Sequence, residues 1–267
     1  MTRRGRLAAP VVGAGLARGY LSLLRTRPPG DEKRWLQVNY AGRSVSRVAG
    51  PAYALATLSA LPMVSASWRV RSAATVAIGS AAAVGMYDDL AGDGSVRGLA
   101  GHGSALASGR VTTGTVKVAG LVAGSLVAGA LLRPKLNDAA LAGVVIAGTA
   151  NVANLLDLRP GRAVKAACLP GLAALPGPAG PCTAAALGAS AALLPDELRE
   201  NVMLGDCGAG ALGAAIGVGL AAGASTQRLR RLVAIVSALT VASEFVSFSR
   251  VIERVRVLRV IDHLGRR

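Results

Sequence analysis

Three polar groups interrupt an otherwise apolar chain: Tyr87-Asp88-Asp89, Asn151-Val-Ala-Asn154-Leu-Leu-Asp157, and Gly205-Asp206-Cys207-Gly208. On a helix, positions 151, 154 and 157 fall within an arc of about 120°, so two amides and a carboxylate share one face. That face closes an uncharged run from Ala139 to Leu156, where polar groups are costly unless they meet partners, a cavity or an interface. Adjacent carboxylates such as Asp88 and Asp89 repel at a low-dielectric boundary unless a cation or a lysine joins them. Asp206 precedes a glycine-rich helix start, whose backbone N–H groups and positive end suit a phosphate beside the carboxylate. Each pattern also has a plainer reading: Asn and Asp capping or gluing helices, an acidic surface pair, and a helix N-cap followed by small packing residues.

The elements that carry these residues follow from composition. Of 267 residues, 52% are apolar and only 16% charged, and the mean hydropathy is +0.48, which argues for one polytopic membrane domain over residues 1–267. The 34 glycines and abundant alanine suit helices that approach closely, while 3% aromatics leave a thin interfacial belt. The net charge of +16 is spread singly between apolar runs rather than in a patch with interleaved aromatics, which argues against nucleic acid as a partner. Cys168, Cys182 and Cys207 have no metal-ligand spacing and read as small packing residues.

Uncharged runs predict nine transmembrane helices near 7–24, 50–68, 72–87, 115–132, 139–157, 162–178, 179–195, 207–225 and 229–249. The first, interrupted by Arg18, reads as a weak span rather than a signal peptide. The break Pro176-Gly-Pro-Ala-Gly-Pro181 predicts a tight hairpin of two short helices, extended by residues near 160–165 and 196–199. The fold expected is therefore an all-α integral membrane bundle without a soluble domain or internal repeat.

With the N-terminus outside, the cytoplasmic loops and the tail from Arg250 hold 19 of the 30 basic residues, a modest positive-inside bias. Twelve of the 14 acidic residues lie on the same side. Acidic residues scarcely steer topology, so their clustering asks for another cause, and a cation-dependent site on the cytoplasmic face supplies one.

The order of the groups is specific. Asp-Asp after one span, Asn-x-x-Asn-x-x-Asp after a later one and Gly-Asp-x-Gly opening another resembles the polyprenyl-phosphate sugar-1-phosphate transferases, which include the phospho-N-acetylmuramoyl-pentapeptide translocase and the UDP-GlcNAc:undecaprenyl-phosphate GlcNAc-1-phosphate transferases. Gly98-Leu-Ala-Gly-His-Gly and Thr112-Thr-Gly-Thr-Val-Lys117 also look like the family's segment between the aspartate pair and the next helix. The resemblance runs from near Asn39 to about residue 250. It implies Mg²⁺-dependent transfer of a sugar-1-phosphate from a UDP-sugar to a lipid phosphate, with release of UMP, in a multi-pass plasma-membrane protein that builds cell-envelope precursors. Carried over by position, Asn154 and Asp206 would bind Mg²⁺ on the pyrophosphate. Asp88 and Asp89 would deprotonate or orient the lipid phosphate, Asp157 would support the metal or diphosphate, and Lys117 would offset developing charge. The division suits phosphoryl transfer, which is catalysed chiefly by placement and charge neutralisation. A homodimer is left open.

The chain departs from the family at the nucleotide end. Where the family continues with a second aspartate, this chain has Pro160. Met203 replaces the aromatic three residues before the Gly-Asp aspartate, and Asp196 replaces an asparagine ten residues before it. The histidine-rich last cytoplasmic loop of the family is nearly gone, with His263 either its single remnant or, the plainer reading, a solvated tail histidine, and the family's further helix has no counterpart before Arg267. The expectation is a relaxed or altered nucleotide preference and a small amino-sugar donor. A catalytically silent relative that holds lipid phosphate as a membrane scaffold is the alternative. A transporter is third, since the polar groups gather at one face rather than at the midplane.

Overall fold

The computed structural model describes residues 3–92, 101, 104, 105 and 107–266. Eleven α-helices occupy these residues: α1 (Arg3–Thr26), α2 (Ala49–Ala60), α3 (Trp68–Ala91), α4 (Thr113–Leu132), α5 (Leu136–Leu156), α6 (Arg162–Ala174), α7 (Gly180–Leu198), α8 (Gly205–Ala221), α9 (Thr226–Phe245), α10 (Phe248–Arg254) and α11 (Arg256–His263). Their starts are legible locally. Ser67, Thr112 and Ser225 each accept a backbone N–H three residues on, from Val70, Thr115 and Arg228, and so cap α3, α4 and α9. The Pro/Gly break does make a tight turn, between α6 and α7.

A helix stands at each of the nine expected runs, but fewer carry the mark of a membrane span. Among the described residues, α4 and α5 are long and apolar enough to cross a bilayer, and α9 with α10 adds a third if their 93° bend lies within one span. The others fall short for visible reasons: α2 has 12 residues and α6 has 13, while α8 is apolar but only 17 residues long. Arg18, which interrupts α1, pairs with Asp196 on α7, so the polar break in the first helix has a partner across the bundle.

The bundle is built around α8. Every residue of α8 except Asp206 is buried. It packs against α3 and α5 along its length and against α2, α6 and α7, while α1 lies along α7, α4 bridges α3 and α5, and α9 packs on α5. Small residues allow this. A methyl group at Gly85 would come 2.4 Å from the Asp206 carbonyl oxygen, so α3 meets the start of α8 at a distance only glycine permits.

The all-helical expectation needs one addition. Residues Leu36–Val38 (β1) and Ser44–Ser46 (β2) pair antiparallel in the segment between α1 and α2. The Asn39 side chain accepts the N–H groups of Ala41 and Arg43, and Gly42 takes φ +76°, which closes the hairpin turn. Met203 N–H donates to the Ser46 carbonyl at 2.9 Å, which ties the hairpin to the segment entering α8.

Candidate functional site

The six residues singled out in the sequence meet at one end of the bundle. Asp88 and Asp89 end α3, Lys117 lies in the first turns of α4, Asn154 and Asp157 end α5, and Asp206 opens α8. Lys117 Nζ donates to Asp88 Oδ2 at 3.1 Å and to Asp206 Oδ2 at 2.5 Å, so one ammonium joins carboxylates from two other helices. Thr112-Thr-Gly-Thr-Val-Lys117 forms the cap and first turn that place it. Of the other segment linked to the phosphate groups, residues 98–100, 102 and 103 lie outside the described residues.

Asp89 faces the other way. Its carboxylate accepts the backbone N–H groups of Asp206 at 3.2 Å and Cys207 at 2.9 Å, and thereby caps α8 from a neighbouring helix. The N–H groups that the sequence left open for a phosphate are thus already bonded. Burial and the nearby Asp206 push the Asp89 carboxyl up to about 6, although the two N–H groups and Arg47 favour its charged form. Arg47 donates to the Asp89 carbonyl and lies 3.6 Å from its carboxylate. Gly205 takes φ +60°, and a Cβ there would lie 2.9 Å from Asp89 Oδ2. At the far end of α8, Arg133 donates to the carbonyls of Ala221, at 2.7 Å, and Ala224. The helix therefore carries an anion at its start and a cation at its end, as its dipole favours.

On α5 the three polar residues separate. Asn151 donates to Thr240 Oγ1 at 3.1 Å and joins α5 to α9, the gluing role that such residues play in bundles. The Asn154 amide lies against Gly210, one turn along α8 from Asp206, and its Oδ1 is buried without a partner. Asp157 Oδ2 is likewise buried and unpartnered, beside the Gly205 backbone amide and within electrostatic reach of Glu197, Asp206 and Asp89. Buried oxygens without partners are rare and ask for a ligand, an ion or water. Among the described residues, no group of three His, Cys, Asp or Glu side chains is gathered to hold a metal by itself. Hard oxygen donors from Asn154, Asp157 and the half-buried Asp206 nevertheless suit Mg²⁺, which keeps several waters or phosphate oxygens in its shell.

Glu197 belongs to this centre and escaped the sequence reading. It is buried at the end of α7; Oε1 accepts the Leu204 N–H at 3.3 Å and Oε2 has no partner. Burial pushes its carboxyl up to about 7. Its signal was present, since Asp196-Glu197 ends an apolar run just as Asp88-Asp89 does. Asp196 turns away from the centre instead, to Arg18 and to Arg25 at 2.7 Å on α1.

A cleft of about 240 Å³ opens beside the centre, lined among others by Tyr40, Asp157, Arg159, Pro160, Glu197 and Met203. Of the three departures from the resembled family, Pro160 and Met203 line it and Asp196 does not. Arg159 stacks over the Tyr40 ring at 3.9 Å. His263 lies exposed on α11, away from the cleft lining. No protein-family model and no curated protein matches the chain.

Proposed function

We propose that the chain transfers a sugar-1-phosphate from a nucleotide sugar, UDP-linked in the first instance, to a polyprenyl phosphate at the cytoplasmic face of a cell membrane. The observation that carries this reading is the convergence of Asp88, Lys117, Asn154, Asp157 and Asp206 from four helices, with the Asn154 and Asp157 oxygens buried and unpartnered. A purely structural cluster would pair those oxygens within the protein. In the reaction, an oxygen of the lipid phosphate attacks the sugar-bearing phosphorus and the bond to UMP breaks. Lys117 offsets negative charge on the transferring phosphoryl group, and Asp88, which it holds, orients the lipid phosphate. Asp89 keeps α8 in place so that Asp206 faces this point. Asn154 and Asp206, with Asp157 in support, would hold Mg²⁺, which would supply neutralisation of the pyrophosphate charge. The apolar helices α4 and α5, with the bent pair α9 and α10, and the charge distribution support a membrane arrangement with the site at the cytoplasmic interface, where a lipid tail stays in the bilayer while its phosphate reaches a soluble donor.

One observation favours the scaffold alternative: Lys117 and Asp89 are both engaged in contacts that hold helices together. The two readings part experimentally. Purified protein with undecaprenyl phosphate and Mg²⁺ should release nucleotide monophosphate from a nucleotide sugar. Asp206→Asn, nearly isosteric, should cut turnover by about 10²-fold or more while the unfolding temperature moves little. Silence with every donor, together with retained binding of the lipid phosphate, would favour the scaffold.

A further inference from the structure

The C-terminal helices turn the usual amphipathic arrangement inside out. At about 100° per residue, Val257, Val260 and Ile261 of α11 fall within an arc of about 100°, and Asp262 lies about 150° from its centre. The polar side is the attached one. Asp262 is 5% exposed, gripped by Arg162 Nε and Nη2 of α6 at 2.8 and 2.9 Å and by Arg266 at 2.6 Å, and its carbonyl accepts Lys165 Nζ at 2.8 Å. The apolar side points away from the protein: Val257, Val260, Ile261 and Leu264 are 66%, 59%, 49% and 69% exposed. A surface helix in water docks the opposite way, with its apolar stripe inward. The bidentate buried pair fixes the rotation of α11, so the stripe cannot roll under.

What covers the stripe is indicated by the charge around it. Arg250, Arg254 and Arg256 are all exposed on α10 and α11, and Arg256 flanks the apolar arc, about 40° beyond Val260. The 93° bend after α9 lays α10 across the end of that apolar helix, with Phe245 and Val246 exposed at the corner. We propose that α10 and α11 lie in the headgroup layer of an anionic phospholipid bilayer, with the aliphatic stripe at the acyl boundary and Arg250, Arg254 and Arg256 on lipid phosphates. Long basic side chains reach headgroups while their stems stay in apolar surroundings, and each adds electrostatic attraction to an anionic surface. The docked segment is joined to the candidate site, because Arg266 Nε donates to the Pro160 carbonyl at 3.1 Å, three residues beyond Asp157. The proposal rests on the reading of the bundle as membrane-embedded.

The test uses the full chain in lipid nanodiscs of phosphatidylcholine alone or with phosphatidylglycerol. Cys168, the exposed cysteine, is replaced by serine, while Cys182 and Cys207 are buried and stay. Spin labels at Val260→Cys and Ile261→Cys should collide with oxygen severalfold more than with a water-soluble nickel chelate, and a label at His263→Cys should show the reverse. The contrast should shrink without phosphatidylglycerol, or when Arg250, Arg254 and Arg256 are changed to glutamine. Equal nickel access at all three sites in well-formed discs overturns the proposal and leaves the membrane reading standing. Failure to enter discs overturns the membrane reading and the proposal with it. Protection that is indifferent to lipid charge and accompanied by spin–spin coupling between copies means that a second chain covers the stripe, and it also overturns the proposal.

Discussion

The Asp89 carboxylate accepts the Cys207 backbone N–H at 2.9 Å, so a residue at the end of α3 is the cap of α8, the most buried helix of the bundle. Its neighbour Asp88 turns instead to Lys117. Two adjacent aspartates thus carry different loads, one holding the scaffold and one facing the proposed chemistry.

Their substitution should separate these loads. Asp89→Ala leaves two buried N–H groups without an acceptor and should cost about 1–3 kcal/mol, read as a fall in unfolding temperature in detergent. Asp88→Asn should leave that temperature nearly unchanged while reducing monophosphate release. Equal loss of stability in both variants would contradict the assignment.

Gly85 and Gly79 offer a matched pair on α3. Gly85→Ala drives a methyl group against the Asp206 backbone and should destabilise by about 1–3 kcal/mol as α3 moves off α8. At Gly79 nothing lies within 4 Å of the added carbon, so Gly79→Ala should be neutral or gain up to about 1 kcal/mol from helix propensity. Thermal unfolding of the two proteins side by side decides it.

The cleft beside Asp157 is the proposed seat of the donor nucleotide, and it should betray a missing ring. Met203 lines it where a stacking aromatic would serve a base, so Met203→Phe should lower the KM for a UDP-sugar by about threefold to tenfold with little change in kcat. A small UDP-amino-sugar should be preferred to the muramoyl-pentapeptide donor, and a preference for the latter would sink this part of the reading.

The attachment of α11 should depend on acid. Burial raises the Asp262 carboxyl, but the Arg162 and Arg266 guanidiniums outweigh it and hold the group below its ordinary 3.8. A folded value lower than the unfolded one means that the pair's stabilisation is complete above about 4 and is lost as pH falls through the depressed value. A spin label on α11 should therefore gain mobility below about pH 4. Asp262→Asn should be mobile at every pH, and an unchanged label across the range would show that the ion pair does not fix the helix.

The sequence by itself determined where the helices run, because uncharged length and Pro/Gly breaks act locally: each of the nine expected runs holds a helix, and the hairpin between α6 and α7 sits at its prolines. It also picked out Asp88, Asp89, Asn154, Asp157 and Asp206, since a charge or amide beside an apolar run is visible without knowing its neighbours, and the family resemblance added Lys117. The tertiary structure alone decided what each one touches. Asp88 and Asp89 stand about 100° apart around α3, so packing sends one to α4 and the other to α8. The same rule sends Asp196 to the arginines of α1 and Glu197 into the centre, a division that the pair's shared sequence signal cannot express. The β1–β2 hairpin was hidden because three-residue strands carry too short an alternation to read, and it forms where Ser46 meets Met203. The outward face of α11 was decided by a contact with Arg162, 100 positions away in the chain, which no local pattern records.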